Sequence, residues 1–295
     1  MSPSPSTGLS WSTGEPRLRL HDDVFVPVGP GSTLAIHLTG ERRCVGYWSR
    51  VDGDHDCLFG NTLPPETTDH QCSACAGADS GRQLARGFIA TGDDRPYRLY
   101  LAWFGPGSTV KIGITAQARG TGRLLEQGAL AFTFIAEGPL PLVRAAEMAI
   151  SEAGIATERV RARDKTPGWW AGVGDATDIL KTTAETVATT IPLPDGLQAL
   201  EPNIVDHTAL FGLDQPLPDR YRSLTALAED SVLSGHVMVA AGKLLLVSTD
   251  DGPVLCDARL LSGWPLETAT EARGRLILSE PVRPKRPEDE PPTLF

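Results

Sequence analysis

Short β-type apolar runs and helically spaced apolar positions follow one another in a definite order along the chain. VFVPV at 24–28 and TLAIHL at 33–38 are separated by Gly-Pro-Gly, a pattern that predicts a hairpin. YRLYLAWF at 97–104 and TVKIGIT at 109–115 flank Gly-Pro-Gly-Ser and predict a second one. Residues 120–130 carry Leu124, Leu125 and Leu130 among polar positions, which predicts a helix, and ALAFTFIAEG at 129–138 predicts a further strand. Pro141 opens a stronger helix over 141–154, where Leu142, Ala145, Ala149 and Ile150 recur at helical spacing. The order of this module is therefore β-β-α-β-α. A helical or irregular bridge spans 165–200 and ends at Pro192 and Pro194. HVMVAAGKLLLVSTDDGPVLCDARLL then returns to strands around an Asp-Gly turn at 251–252.

The polar stretches set the boundaries. Residues 1–16, rich in Ser, Pro and Gly, read as a disordered tail, and the Pro-rich charged residues 266–295 as another. From Cys44 to Gly87 the chain is polar and holds four of its five cysteines, so it needs a staple in place of a core. The expected organisation is a β-hairpin plus cysteine-rich segment (17–92), the mixed module (93–170), and a helical bridge with a β-rich C-terminal part (171–265). The fold class is α+β.

Cys44, Cys57, Cys72 and Cys75 form C-x12-C-x14-C-x2-C. The C-x2-C loop lets two thiolates converge on one zinc ion at about 2.3 Å. The other two cysteines are irregularly spaced, and His55 or His70 is an alternative ligand to one of them. Structural zinc is the leading reading, ahead of unligated cysteines or a redox pair, and a disulfide is weak in a cytoplasmic chain. Cys256 falls in a predicted strand and reads as packing.

Composition narrows the function classes. With 41% hydrophobic and 22% charged residues the 295-residue chain is globular, and no apolar run reaches the roughly 18–20 residues of a membrane span. The first residues lack a basic start followed by an apolar stretch, so a cytoplasmic protein without membrane partners is expected. The net charge of −10 argues against a protein that coats nucleic acid non-specifically. Yet residues 95–165 hold ten basic and six acidic residues, an island of +4. That island keeps a phosphate-bearing substrate in view.

Arg98-Leu99-Tyr100, Lys111-Ile112-Gly113, Arg123 at the start of RLLEQGA and Glu147 in RAAEMAISE, in that order, resemble the GIY-YIG nuclease superfamily. The first tripeptide keeps its tyrosine. The second keeps Ile-Gly but has lysine in place of tyrosine. More narrowly, YLAWF, VKIGIT, GRLLEQGA, AAE and RDKTPGWW are similar to an uncharacterised bacterial family related to that superfamily, with a cysteine-rich segment ahead of the module and a β-rich part behind it. The resemblance spans roughly residues 20–265. It implies a GIY-YIG-like module flanked by a zinc-ribbon-like segment, and metal-dependent phosphodiester hydrolysis of nucleic acid. Glu147 would hold Mg²⁺ or Mn²⁺ and Arg123 would contact the scissile phosphate. Tyr100 would position or deprotonate the water, and Lys111 would bind phosphate or serve as base. Arg119, Lys165 and Trp169 are candidate substrate-binding residues, Lys165 for a phosphate and Trp169 for stacking on a base.

Each residue also has a plainer reading. Tyr100 and Lys111 can be ordinary sheet residues, Arg123 can pair with Glu126, Glu147 with Arg144, and Trp169 with Trp170 can be core aromatics. The second tyrosine is missing, and the polar residue that usually completes the superfamily's site, often Asn, has no evident counterpart. Two further functions therefore stand beside hydrolysis: a nucleic-acid or nucleotide-binding module without catalysis, and the same scaffold turned to a small molecule or modified base.

Overall fold

A computed structural model describes residues 4–21, 23–85, 95–106, 109–161, 164–171, 174–269 and 274–284. The fold is mixed α+β and divides into two compact units. One joins Met1–Gly92 to Arg220–Val282; the other comprises Asp93–Asp219 and Arg283–Phe295. Of the sequence-based expectations, Arg163 of the basic island, the last two residues of the 105–108 turn and the tail from 285 onward lie outside the described residues.

Among the described residues, the first unit is built on a ten-stranded sheet, with a separate hairpin of Tyr47–Ser49 and Gly53–His55. Along the sheet the strands run Ile277–Leu278, Arg222–Ala226, Gly252–Asp257, Leu244–Thr249, Val232–Ala241, Thr33–Leu38, Pro265–Thr268, Ser4–Ser10, Arg17–Leu20 and Phe25–Pro27. Strand Thr33–Leu38 has the two-residue period expected of it: Leu34, Ile36 and Leu38 are buried between more exposed neighbours. The hairpin at the 251–252 turn forms, with Leu244 opposite Asp257 and Thr249 opposite Gly252.

Three expectations are corrected here. The runs on either side of Gly-Pro-Gly at 29–31 do not pair with each other. Phe25–Pro27 pairs with Arg17–Leu20, while Thr33–Leu38 lies between Val232–Ala241 and Pro265–Thr268. Residues 4–16 are no tail either. Ser4–Ser10 is a strand between Pro265–Thr268 and Arg17–Leu20, and Trp11, 1% exposed, donates its indole N–H to the Gly242 carbonyl at 2.7 Å. Similarly, Pro265–Thr268 and Ile277–Leu278 are strands within the stretch expected to be a charged tail.

The second unit follows the order β-β-α-β-α. Strand Pro96–Trp103 is antiparallel to Lys111–Ala116 on one side and to Ala131–Pro139 on the other. Gln198–Ala199 and Val205–Asp206 pair with the two ends of Ala131–Pro139. Helix Gly122–Gln127 stops at Gly128, whose left-handed backbone (φ 69°) suits a residue without a Cβ. There Gly128 N–H bonds the Leu125 carbonyl and Ala129 N–H the Leu124 carbonyl, so the helix end is satisfied.

Helix Leu140–Glu152 packs across the three central strands. Its buried residues are Leu140, Val143, Ala146, Glu147 and Ile150. These lie on one stripe at three- and four-residue spacing, so Glu147 occupies a core position among apolar side chains. Helices Pro167–Ala171 and Ala176–Thr190 form most of the expected bridge.

Candidate functional site

Two clusters of chemically capable side chains stand out, one in each unit. In the first unit, the sulfurs of Cys44, Cys57, Cys72 and Cys75 all lie within 4.8 Å of one another, Cys57 and Cys72 at 4.0 Å, and all four are free of disulfides. Tetrahedral zinc with bonds of about 2.3 Å would hold its sulfurs roughly 3.8 Å apart, so the cluster needs little adjustment to close on such an ion. The chain brings them together in three pieces. Cys44 follows Arg42, which is 2% exposed and anchored to five backbone carbonyls. Cys72 and Cys75 flank the start of helix Ser73–Ala78, and Cys72 N–H donates to Cys44 Sγ at 3.1 Å. The histidines do not join: among the described residues the metal-capable cluster is the four cysteines alone, and His55 stacks on Tyr47 at 4.8 Å.

The second cluster sits where Pro96–Trp103 faces Lys111–Ala116. Tyr100 is directly opposite Gly113, and its ring lies over that glycine. A Cβ at position 113 would come within 2.3 Å of Tyr100 Oη and 2.9 Å of Lys111 Nζ. The retained glycine thus admits the phenol and the amine to one spot. Replacing Gly113 by alanine is expected to cost about 1–3 kcal/mol by overpacking, because the ring it meets is 1% exposed and has nowhere to go. Denaturant unfolding measures this, and unchanged stability would refute the close approach.

Tyr100 Oη accepts a hydrogen bond from Gln127 Nε2 at 2.7 Å. Burial raises the phenol pKa, against the pull of Gln127, Arg123 and Arg119, so the hydroxyl keeps its proton. Lys111 donates to the Ile112 carbonyl at 3.0 Å and lies 5.5 Å from the Tyr100 ring centroid. Burial lowers its pKa to about 8; Glu147 and Glu158 oppose the shift and Arg123 adds to it. Glu147, 4% exposed, accepts from Arg144 at 2.5 Å, yet burial still raises its pKa. Arg123 and Arg119 both pair with Glu126, at 3.6 and 2.5 Å. One carboxylate therefore serves two guanidinium groups.

The structure thus places Tyr100 within electrostatic reach of Arg119, Arg123 and Glu147, and Lys111 within reach of Arg123 and Glu147. It also makes the plainer pairs, Arg123 with Glu126 and Glu147 with Arg144. Lys165 reaches the group indirectly: its ammonium donates to the Gln127 carbonyl at 2.7 Å and lies 4.2 Å from the Phe104 ring centroid. Trp169 does not join. It is 4% exposed and stacks on Trp170, so a nucleobase cannot reach its face, and the expected aromatic rim is corrected to core packing. Its neighbour Gly168 approaches Gly105 so closely that a Cβ there would lie 2.8 Å from the Gly105 Cα. Sequence reasoning missed Gln127, although it lies four residues after Arg123 and hence on the same helix face. It also missed His207, buried against Phe132 and Phe211 with Nδ1 3.0 Å from the Ala129 carbonyl.

Fold and clusters together define an α+β protein whose four cysteines can hold a metal ion. Residues 31–266 match the family model described as a protein of unknown function (DUF2797), and the chain belongs to that family. No curated protein and no solved structure matches it. Among the described residues, no helix is long and apolar enough to cross a membrane.

Proposed function

We propose that the second unit is a phosphodiester hydrolase of the GIY-YIG kind, acting on nucleic acid in the cytoplasm, and that the four thiolates hold a structural zinc. The observation that supports hydrolysis most is the meeting of Lys111 and Tyr100 over the bare face of Gly113, with Arg123 and Glu147 acting on both. Arg123 remains 42% exposed along its side chain and shares its carboxylate with Arg119, so this corner keeps surplus positive charge for a phosphate.

The protonation states divide the work. Tyr100 keeps its proton and acts as a donor that orients the attacking water or the phosphate. Lys111, with its pKa lowered to about 8, is the residue able to lose a proton near neutral pH and take one from water. Glu147 would hold Mg²⁺ or Mn²⁺. A single carboxylate suits such a cation, which keeps several waters and completes its shell from substrate phosphate. Once bound, it supplies neutralisation of charge on the phosphate.

The test is cleavage of a panel of DNA and RNA substrates by zinc-loaded protein with Mg²⁺ or Mn²⁺ across a pH series. If Lys111 is the base, kcat/KM rises with pH as its amine deprotonates and levels off above about 8, and Lys111→Met removes that rise. A rate that falls through pH 8 would instead make Lys111 a phosphate-binding cation. No cleavage by folded, zinc-loaded protein would overturn the reading.

A further inference from the structure

A second polar site lies in the first unit, and nothing in the proposed reaction uses it. Thr7, Gly8, His70, Lys243, Arg259 and Ser262 line a cavity of about 60 Å³. A single water needs roughly 10–15 Å³ on this measure, so there is room for several waters or one small ion. The fold makes the space at strand Ser4–Ser10, whose register against Arg17–Leu20 shifts between Ser6 and Gly8. Gly8 has φ +118°, and a Cβ there would stand 3.0 Å from Ser262 Oγ. A side chain at position 8 would strain the backbone and crowd the opening.

The lining carries two cations and two hydroxyl groups, of which Thr7 Oγ1 donates to the Arg19 carbonyl at 3.3 Å, and no carboxylate is among its residues. Arg259 is held rigid by Asp257, which accepts from its Nε at 2.9 Å and from its terminal nitrogen at 2.5 Å. Behind the wall lies Arg42. Its five acceptors, the carbonyls of Pro64, Thr67, Asp69, Arg259 and Ser262, are all backbone. Two of them belong to cavity-lining residues, so a buried guanidinium whose hydrogen bonds are all to neutral groups backs the wall. Asp69 pairs with Arg82 at 3.4 Å and also acts through space on Arg42 and Arg259, as Glu66 does on Arg42. Lys243 projects into this environment from the turn between Val232–Ala241 and Leu244–Thr249.

We infer that this cavity binds one small tetrahedral oxyanion, phosphate or sulfate. Its lysine and the guanidinium behind the wall match that charge, the Ser262 hydroxyl suits an anionic oxygen, and its size excludes an ester with a bulky substituent.

The test is calorimetric titration of the full-length, zinc-loaded chain with inorganic phosphate and with sulfate, at ionic strength held constant with chloride. Saturable binding at one site is expected, weakened tenfold or more by Lys243→Met and measurably by Ser262→Ala. Arg123→Ala and Lys111→Met are expected to leave it unchanged, which separates this site from the proposed reaction centre. Absence of saturable binding would leave a cavity that holds only water and would overturn the inference. Binding lost in Arg123→Ala but kept in Lys243→Met would overturn it equally, by assigning the anion to the other unit.

Discussion

Replacing Cys75 by serine is expected to abolish stoichiometric zinc binding and to unfold the segment around residues 44–79, while the Asp93–Asp219 unit keeps its own melting transition. The reason is the composition of the segment's interior. Its buried residues are Cys44, Gly46, Gln71 and Cys75, whereas its larger apolar side chains face outward: Val51 is 87% exposed, Leu58 91% and Phe59 70%. No large apolar side chain stands at the centre of this packing, so a metal held by the thiolates would supply it. Structural zinc sites in small domains contribute about 10–16 kcal/mol of apparent binding free energy at neutral pH, so weakening the site by one thiolate of four is expected to cost the segment its fold. Elemental analysis reads the zinc content, and hydrogen exchange reads the protection of residues 44–79. A chelator should reproduce both effects in the wild-type chain. Full protection without metal would show that the cysteines only pack.

The mixed module was legible because its pattern is local. Alternation and helical spacing place its strands and helices, and short turns leave few choices of neighbour. In the first unit the same reasoning found strands but not their partners. Thr33–Leu38 pairs with Val232–Ala241, some two hundred residues away, and no local signal encodes that choice. Ser4–Ser10 reads as a solvated tail because Ser, Pro, Thr and Gly dominate it; neighbours on both sides bury Ser6 completely. The C-x2-C pair announced a metal-capable cluster, but only folding shows that Cys44 and Cys57 join it. Gln127 could not be singled out because its meeting with Tyr100 depends on how a helix sits over a sheet.

Glu147→Gln is the second change with a large expected effect: a loss of about 10²–10³-fold or more in cleavage rate, with the fold retained. The substitution keeps the shape of the side chain and removes its charge. Burying a carboxylate on the apolar stripe of helix Leu140–Glu152 is costly, and the raised pKa records that cost even with Arg144 in contact. A residue held there for stability alone would be replaced by an apolar one at little cost. Acting on Lys111 and Tyr100, that charge would, on the proposed reading, hold the cation that neutralises the phosphate. Arg144 supplies the control. It is 26% exposed along its side chain and bonds Glu147 Oε2, so it competes with a cation for that carboxylate. Arg144→Met is therefore expected to tighten Mn²⁺ binding, measured by titration, while Glu147→Gln abolishes it. If both variants lose stability equally and neither changes cleavage or Mn²⁺ affinity, the pair is a structural clasp and the hydrolase reading fails at its metal.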